Sequence, residues 1–501
     1  MSVDTSAPIV PAPIAPDSAD APANEASEAP TLRSQAGWRV LGGFGGAVRA
    51  ASRFVEPRSG EELAALLTSA QREGLSVTFR GAGRSYGDAA LNTGGLVVDL
   101  RRLDRVSQWD PARGIIETSP GLTIEGLWRR TIQDGYWPAV VPGTMHPTLG
   151  GCLSMNVHGK NNFREGPFGE HVLDFDLVTP RGERLRCSRT ENADVFFAAI
   201  GGMGLLGAIT RVRVQLKRVE TGLLRVEALA ARHLDEAFDR FEDSLADHDY
   251  VVGWVDCLAR GRGLGRGELH RARYVPADEV EDVEGSLRVE KQGLPSSMLF
   301  MPKSQLWRFM RPLAFDGGVR LVNAAKYRSS VWHDGHRYLQ SHVAFAFLLD
   351  YVPNWQRGLY GSDGFIQYQV FIPHATAREA LRAILTRCVE RDLCSYLGVL
   401  KRHRPDDFLL SHAVDGWSLA MDFPAAAWRR EQLWKLTDEL TAIVLDAGGR
   451  FYFAKDAVLR PEDVERSYGR DRIERFLAIK ERLDPDRVLT SDLWRRIGFS
   501  R

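Results

Sequence analysis

Residues 80–88 read RGAGRSYGD, three glycines in nine positions interleaved with two arginines, a serine and a tyrosine. Glycine lets the backbone take positive φ and pass close to a ligand. Consecutive amide N–H groups can then converge as an anion nest. VTFRG (77–81) leading in and GLVVDL (95–100) following have the apolar, β-branched texture of strands. A strand, a glycine loop and a second strand make a cradle suited to a diphosphate. On the loop alone, a tight surface turn stays open as the alternative.

Outward from the loop, Ser59 and Glu62 have the spacing of a capping box, and Leu63, Leu66, Leu67 and Ala70 continue at helical spacing to Gly74. A second amphipathic helix is expected over 123–134, with Ile124, Leu127, Trp128 and Ile132 on one face. A short helix at 193–199 precedes GGMGLLGAITRVRVQL (201–216). Gly202, Gly204 and Gly207 there match G-x-G-x-x-G, but a dinucleotide fingerprint needs a strand before it and a helix after it. The order here is reversed, which excludes a Rossmann domain. From 217 strands and amphipathic helices alternate, with a charged, irregular region expected at 258–330 and a helix–strand–helix pattern over the last fifty residues.

At 501 residues the chain suggests two domains. Lys+Arg and Asp+Glu both number 65, so no global field points to nucleic acid or an anionic membrane. The five cysteines are scattered and odd in number, which reads as reduced thiols in a cytosolic protein. No apolar run approaches the ~18 residues of a membrane span. The first thirty residues are rich in Pro, Ala and Ser and lack Lys or Arg, which fits a disordered tail better than a signal or transit peptide.

RGAGRSYGD, GGLVVDL, VPGTMHPTLGGCLSMNVHGKNN (141–162) and GGMGLLGAIT (201–210), in that order, resemble the FAD-binding domain of the vanillyl-alcohol oxidase/p-cresol methylhydroxylase superfamily. HGKN (158–161), GFIQYQ (364–369), VLKR (399–402), DFP (422–424) and AKD (454–456) resemble, more narrowly, the decaprenylphosphoryl-ribose 2′-oxidases. The resemblance implies an α+β, two-lobed flavoprotein with a discontinuous FAD-binding domain and an antiparallel-sheet substrate domain. The expected division is a tail over 1–35, an FAD-binding domain over 36–216, a substrate domain over 217–449, and a segment over 450–501 completing the FAD region.

By resemblance the FAD is held by Arg80, Gly81, Ala82, Gly83, Arg84, Ser85 and Tyr86, with Pro142, Gly143, Thr144, Gly150, Gly151, Cys152, Asn156, Gly159, Gly204 and Ile209. Many superfamily members carry a flavin-linked histidine where Arg84 stands, so the FAD is expected to be non-covalent. No metal site is expected.

Oxidising an alcohol requires a group to accept the hydroxyl proton and polar groups to orient the substrate. In RFYFAKD (450–456) strand alternation puts Phe451, Phe453 and Lys455 on one face, where a lysine among aromatics is expected to be partly desolvated and lowered in pKa. A snorkelling lysine with its ammonium in water is the plain alternative. The resemblance favours the active site for Lys455, and places His158 beside the flavin ring and Lys160 towards substrate. GFIQYQVFIP (364–373) alternates so that Gln367 and Gln369 share a face with Phe365 and Phe371, a floor suited to a sugar. Lys401 is a candidate phosphate or hydroxyl partner. Ala420 stands where family members carry a cysteine, so no role can rest on that thiol.

The expected reaction is oxidation of a secondary sugar hydroxyl to a ketone, most specifically C2 of a polyprenyl-phosphate pentose, with a ketoreductase partner taking the product. Oxidation of a free alditol or aldonolactone, or flavin binding without turnover, stays open. The arginine-rich stretch at 260–273 could dock a lipid phosphate or membrane face or serve as a solvated loop, and the expected location is cytoplasmic, with peripheral contact at the inner membrane left open.

Overall fold

The computed structural model describes residues 31–294, 297–298 and 301–498; the tail expected over 1–30 lies outside them. Residues 31–35 do not continue a tail. Leu32–Gln35 forms a helical turn capped by Thr31, and the Leu32 amide donates to Glu73 Oε1 at 2.7 Å.

The glycine loop emerges from a four-stranded sheet ordered Gly37–Gly42, Arg49–Val55, Leu96–Asp99, Val77–Arg80, whose last three strands are parallel. The helix Gly60–Arg72 makes the crossover. Ser59 caps it by accepting from the Glu62 amide, and Leu63, Leu66, Leu67 and Ala70 are buried as the spacing requires. A second sheet, entirely antiparallel, runs Val106–Asp110, Ile115–Thr118, Ala208–Gln215, Val172–Val178, Arg184–Ser188. The helix Ala193–Ala199 precedes Gly202–Gly207 and the strand Ala208–Gln215 follows, in the reversed order that excludes a Rossmann unit.

The largest sheet has eight antiparallel strands, ordered His336–Ser341, Leu223–Ala231, Gly267–Tyr274, Tyr250–Val255, Leu397–His403, Gly416–Pro424, Phe365–Pro373, Arg450–Phe451. Register aligns Glu268, Trp254, Val399, Ala420 and Gln369 in one row across five strands. In the neighbouring row Leu397, Asp422 and Gln367 stand side by side. The opposite face of Phe365–Pro373 is also buried; the Tyr368 hydroxyl meets Thr441 Oγ1, on the helix Arg430–Asp446, at 2.8 Å.

Several sequence expectations are corrected. The region 258–330 is not irregular throughout: it supplies the sheet strand Gly267–Tyr274 and the long helix Asp316–Trp332. Three arginines of the 260–273 stretch are held in ion pairs, Arg260 with Asp392 at 2.8 Å, Arg266 with Asp256 at 2.9 Å and Arg271 with Glu227 at 3.1 Å. The last fifty residues hold three helices after the short strand Arg450–Phe451. This C-terminal segment returns to the first sheet, where Val77 and Val488–Thr490 exchange backbone hydrogen bonds. Arg496 ties both ends of the site together, bridging Asp88 at 2.8 Å and Asp456 at 2.8 Å.

Candidate active site

Loop 80–86, the turn and helix at 142–154, and the wide face of the eight-stranded sheet enclose one long cavity of about 600 Å³, within the range of ligand sites. At one end the strand Val77–Arg80 delivers the glycine loop. The Arg80 guanidinium is buried in the loop's base and donates to Gly42 O at 2.9 Å and Ala90 O at 3.2 Å. Gly83 has φ +64°, and a Cβ there would sit 2.3 Å from Arg80 Nη2. A Cβ on Gly81 would sit 2.2 Å from Thr148 Oγ1, the N-cap of the helix Leu149–Ser154. The loop therefore needs both glycines to close against its neighbours.

Among the described residues the backbone amides of Gly81 through Ser85 have no hydrogen-bond partner, and Arg84 Nε is buried and equally unpartnered. A buried donor is rarely left without an acceptor, so Arg84 Nε and the partly buried loop amides beside it fit an anionic ligand such as the FAD diphosphate. Pro142, Gly143, Thr144, Gly150, Gly151, Gly204, Ile209 and Tyr86 line the same cavity.

Three expected cofactor residues stand off its wall. Cys152 is fully buried in the apolar core, which pushes its thiol pKa up. Asn156, at φ 45°, accepts from the Gly169 amide at 3.0 Å and shapes the chain behind the cavity. Gly159 is packed where a Cβ would meet Asn161 Oδ1 at 2.6 Å.

At the other end the sheet presents Gln367, Gln369, Lys401 and Ala420, facing His158, Lys160 and Lys455. Lys455 does not reach the site through strand alternation. The strand ends at Phe451, the chain turns with the Lys455 amide donating to Tyr452 O, and the ammonium lies 3.5 Å from the centre of the Tyr86 ring. Burial lowers Lys455 to about 7 against the pull of Asp422. Asp422 is itself raised to about 7 by burial, while Gln367 donates to its Oδ1 at 2.5 Å. Burial likewise lowers Lys401 to about 8 and, with Lys401 nearby, Lys160 to about 7. The Lys160 ammonium is engaged by the carbonyls of Phe345 and of Ala346, the latter at 3.1 Å.

His158 packs among Phe371, His403, His412 and Tyr452. Burial first, then Lys401, hold it well below the usual histidine range, so the ring is neutral. The Gln369 amide nitrogen lies 3.0 Å from His158 Nε2. With that nitrogen donating, the ring proton sits on Nδ1, which has no partner among the described residues.

Sequence reasoning missed Trp254, His270, Asn323, Lys326 and Tyr396 on the wall, and Asp422 behind Gln367. Alternation in GELHRARY (267–274) is the signal that could have placed Glu268 and His270 on one face. The described wall carries Arg80, Arg84, Lys160, Lys326, Lys401 and Lys455 and no Asp or Glu. Such a cationic wall suits phosphate-bearing ligands. Met310, Leu348, Leu349, Val352, Trp355 and Leu359 make another part of the wall apolar.

The model of an FAD binding domain matches residues 51–188. The chain is 31% identical over 449 residues to the decaprenylphosphoryl-beta-D-ribose oxidase of Mycolicibacterium smegmatis, covering 86% of this chain and 91% of that protein. It is 29% identical to an uncharacterized protein of Streptomyces coelicolor over 75% of this chain and all of that one. It is 34% identical to cytokinin dehydrogenase 7 of Oryza sativa over 43% of this chain and 44% of that protein.

Proposed function

Because the chain belongs to the family of FAD-dependent oxidases that includes decaprenylphosphoryl-beta-D-ribose oxidase, we propose that it oxidises a secondary hydroxyl of a lipid-linked, phosphate-bearing pentose, at C2, to a ketone. The observation that carries this reading is the combination on one described cavity wall: Arg84, Lys160, Lys401 and Lys455 with no lining Asp or Glu, two glutamines for sugar hydroxyls, and an apolar stretch from Met310 to Leu359 read as a rim for a hydrocarbon chain. A free alditol would gain nothing from the excess cations or the rim.

Bound FAD supplies the two-electron acceptor. The chain's residues do the rest. Amides 81–85 and Arg84 bind the diphosphate, and Gln367, Gln369 and Lys401 orient the sugar. Neutral His158, held by Gln369, adds no charge of its own beside the reacting hydroxyl. Lys455, lowered to about 7, is a free amine at slightly alkaline pH and accepts the hydroxyl proton at Nζ. On this reading the eight-stranded sheet is the substrate lobe, opposite the FAD lobe built by the first two sheets. The ketone is a substrate for a hydride-donating reductase, the class of partner that would complete an epimerisation. Arg84 offers no nucleophile for a flavin link, so acid precipitation should leave all flavin in the supernatant.

The test is anaerobic mixing of flavin-loaded protein with a short-chain polyprenyl-phosphoryl ribose or with xylitol. Bleaching of the flavin by the phosphoribose alone is the expected result. Bleaching by xylitol alone would overturn the assignment, and bleaching by neither would leave a flavin binder without this activity.

A further inference from the structure

The helix Asp316–Trp332 buries Gly318, Val319, Asn323 and Ser330 and leaves Leu321, Val322, Val331 and Trp332 exposed. Its inward stripe carries polar groups: Asn323 donates to Asp256 Oδ1 at 2.9 Å, Lys326 pairs with Glu268, and the Ser330 hydroxyl donates to Lys326 O at 3.0 Å. Its outward stripe, at helical spacing, is Leu321, Ala325, Arg328 and Trp332. Leu321 is 64% exposed and Trp332 86%. Phe309 and Phe315, just before the helix, are also more than half exposed. The exposed side thus sets Leu321, Val322, Val331 and Trp332 beside Arg320 and Arg328, the mixture of apolar and basic side chains that an interfacial helix carries.

Charge identifies which phase. Residues 303–332 carry Lys303, Arg308, Arg311, Arg320, Lys326 and Arg328 against the single carboxylate of Asp316, which is taken by Arg429 at 2.9 Å. Arg308, Arg311, Arg320 and Arg328 have no ion-pair partner among the described residues. In a chain of zero net charge this is a local excess. It would repel a second copy of the same face and attract anionic headgroups. The inner side of the segment lines the cavity through Met310, Asn323 and Lys326, and Leu348 is both cavity wall and half exposed. The outward face therefore belongs to a segment that also contributes to the cavity wall.

We propose that this face docks the protein on an anionic lipid bilayer, with Leu321, Trp332, Phe309 and Phe315 at the acyl boundary and the free arginines among the headgroups. The surface extends the lipid-linked reading of the substrate, but its test needs no sugar and no turnover, so the two can fail separately.

The flavin-loaded full chain is sedimented with vesicles of phosphatidylglycerol and phosphatidylcholine, and with phosphatidylcholine alone, at low and raised salt. The expected result is binding to the anionic vesicles that weakens with salt. The pair Leu321→Glu and Trp332→Glu should lower the affinity at least about tenfold, and so should Arg320→Glu with Arg328→Glu, with flavin spectrum and thermal midpoint unchanged. Wild-type protein that stays in the supernatant would overturn the proposal, as would equal sedimentation of the Trp332→Glu variant. A concentration-dependent dimer abolished by Trp332→Glu would assign the face to a second copy and overturn it as well.

Discussion

Lys401→Met should make this protein more stable and worse at its task. Lys401 projects from the strand Leu397–His403 into the cavity, and burial lowers it from 10.5 to about 8. A lowered lysine binds fewer protons folded than unfolded between those values, so stability rises with pH across about 8 to 10.5 and the full penalty is present below 8. The drop from 10.5 to about 8 is worth about 3 kcal/mol. The cavity side of the chain keeps some solvent contact, so a gain of about 1.5–3 kcal/mol is expected for the methionine variant at pH 7. That gain should shrink steadily above pH 8 and fall below about 1 kcal/mol by pH 10. Urea unfolding of the flavin-loaded protein from pH 7 to 10 reads both features. Lys401 also depresses His158, Lys160 and Lys455, so its removal should move the acid limb of flavin reduction to higher pH. The loss of a charged contact to the substrate should raise KM about tenfold or more. A variant no more stable than wild type at pH 7, or with a difference that does not change with pH, would refute the reasoning.

In wild-type protein the rate of flavin reduction should fall about tenfold per pH unit below 7, as Lys455 becomes protonated; Lys455→Met should lower the plateau about 10²–10⁴-fold and abolish that limb, and a variant that keeps it would remove Lys455 from proton transfer. Gly83→Ala forces left-handed strain of about 1–2 kcal/mol and drives a Cβ into Arg80, so flavin should be lost on gel filtration at least about tenfold more readily; unchanged retention would count against the loop as the cradle. Arg496→Met leaves Asp88 and Asp456 without their shared cation and should cost about 3–5 kcal/mol in urea unfolding, with a loss under about 1 kcal/mol contradicting a structural role for the bridge.

The tight glycine loop was legible in RGAGRSYGD because its conformation is local: the positive φ of Gly83 and the close approach at Gly81 are demands that residue type alone meets. The helix over 60–72 and the reversed order around Gly202–Gly207 were legible for the same reason, since caps and periodicity act within a few residues. Lys455 does line the cavity, but not by the strand alternation read from the sequence, since the chain turns at Tyr452. Trp254, Val399, Ala420 and Gln369 come together only because their strands pair in one register. Asp422 gains its partner Gln367 the same way. The outward apolar face of Asp316–Trp332 likewise became visible only once the sheet had chosen which side of the helix to cover. Local backbone preferences are written residue by residue, but which strand neighbours which, and which face is buried, is settled by the collective burial of the whole chain.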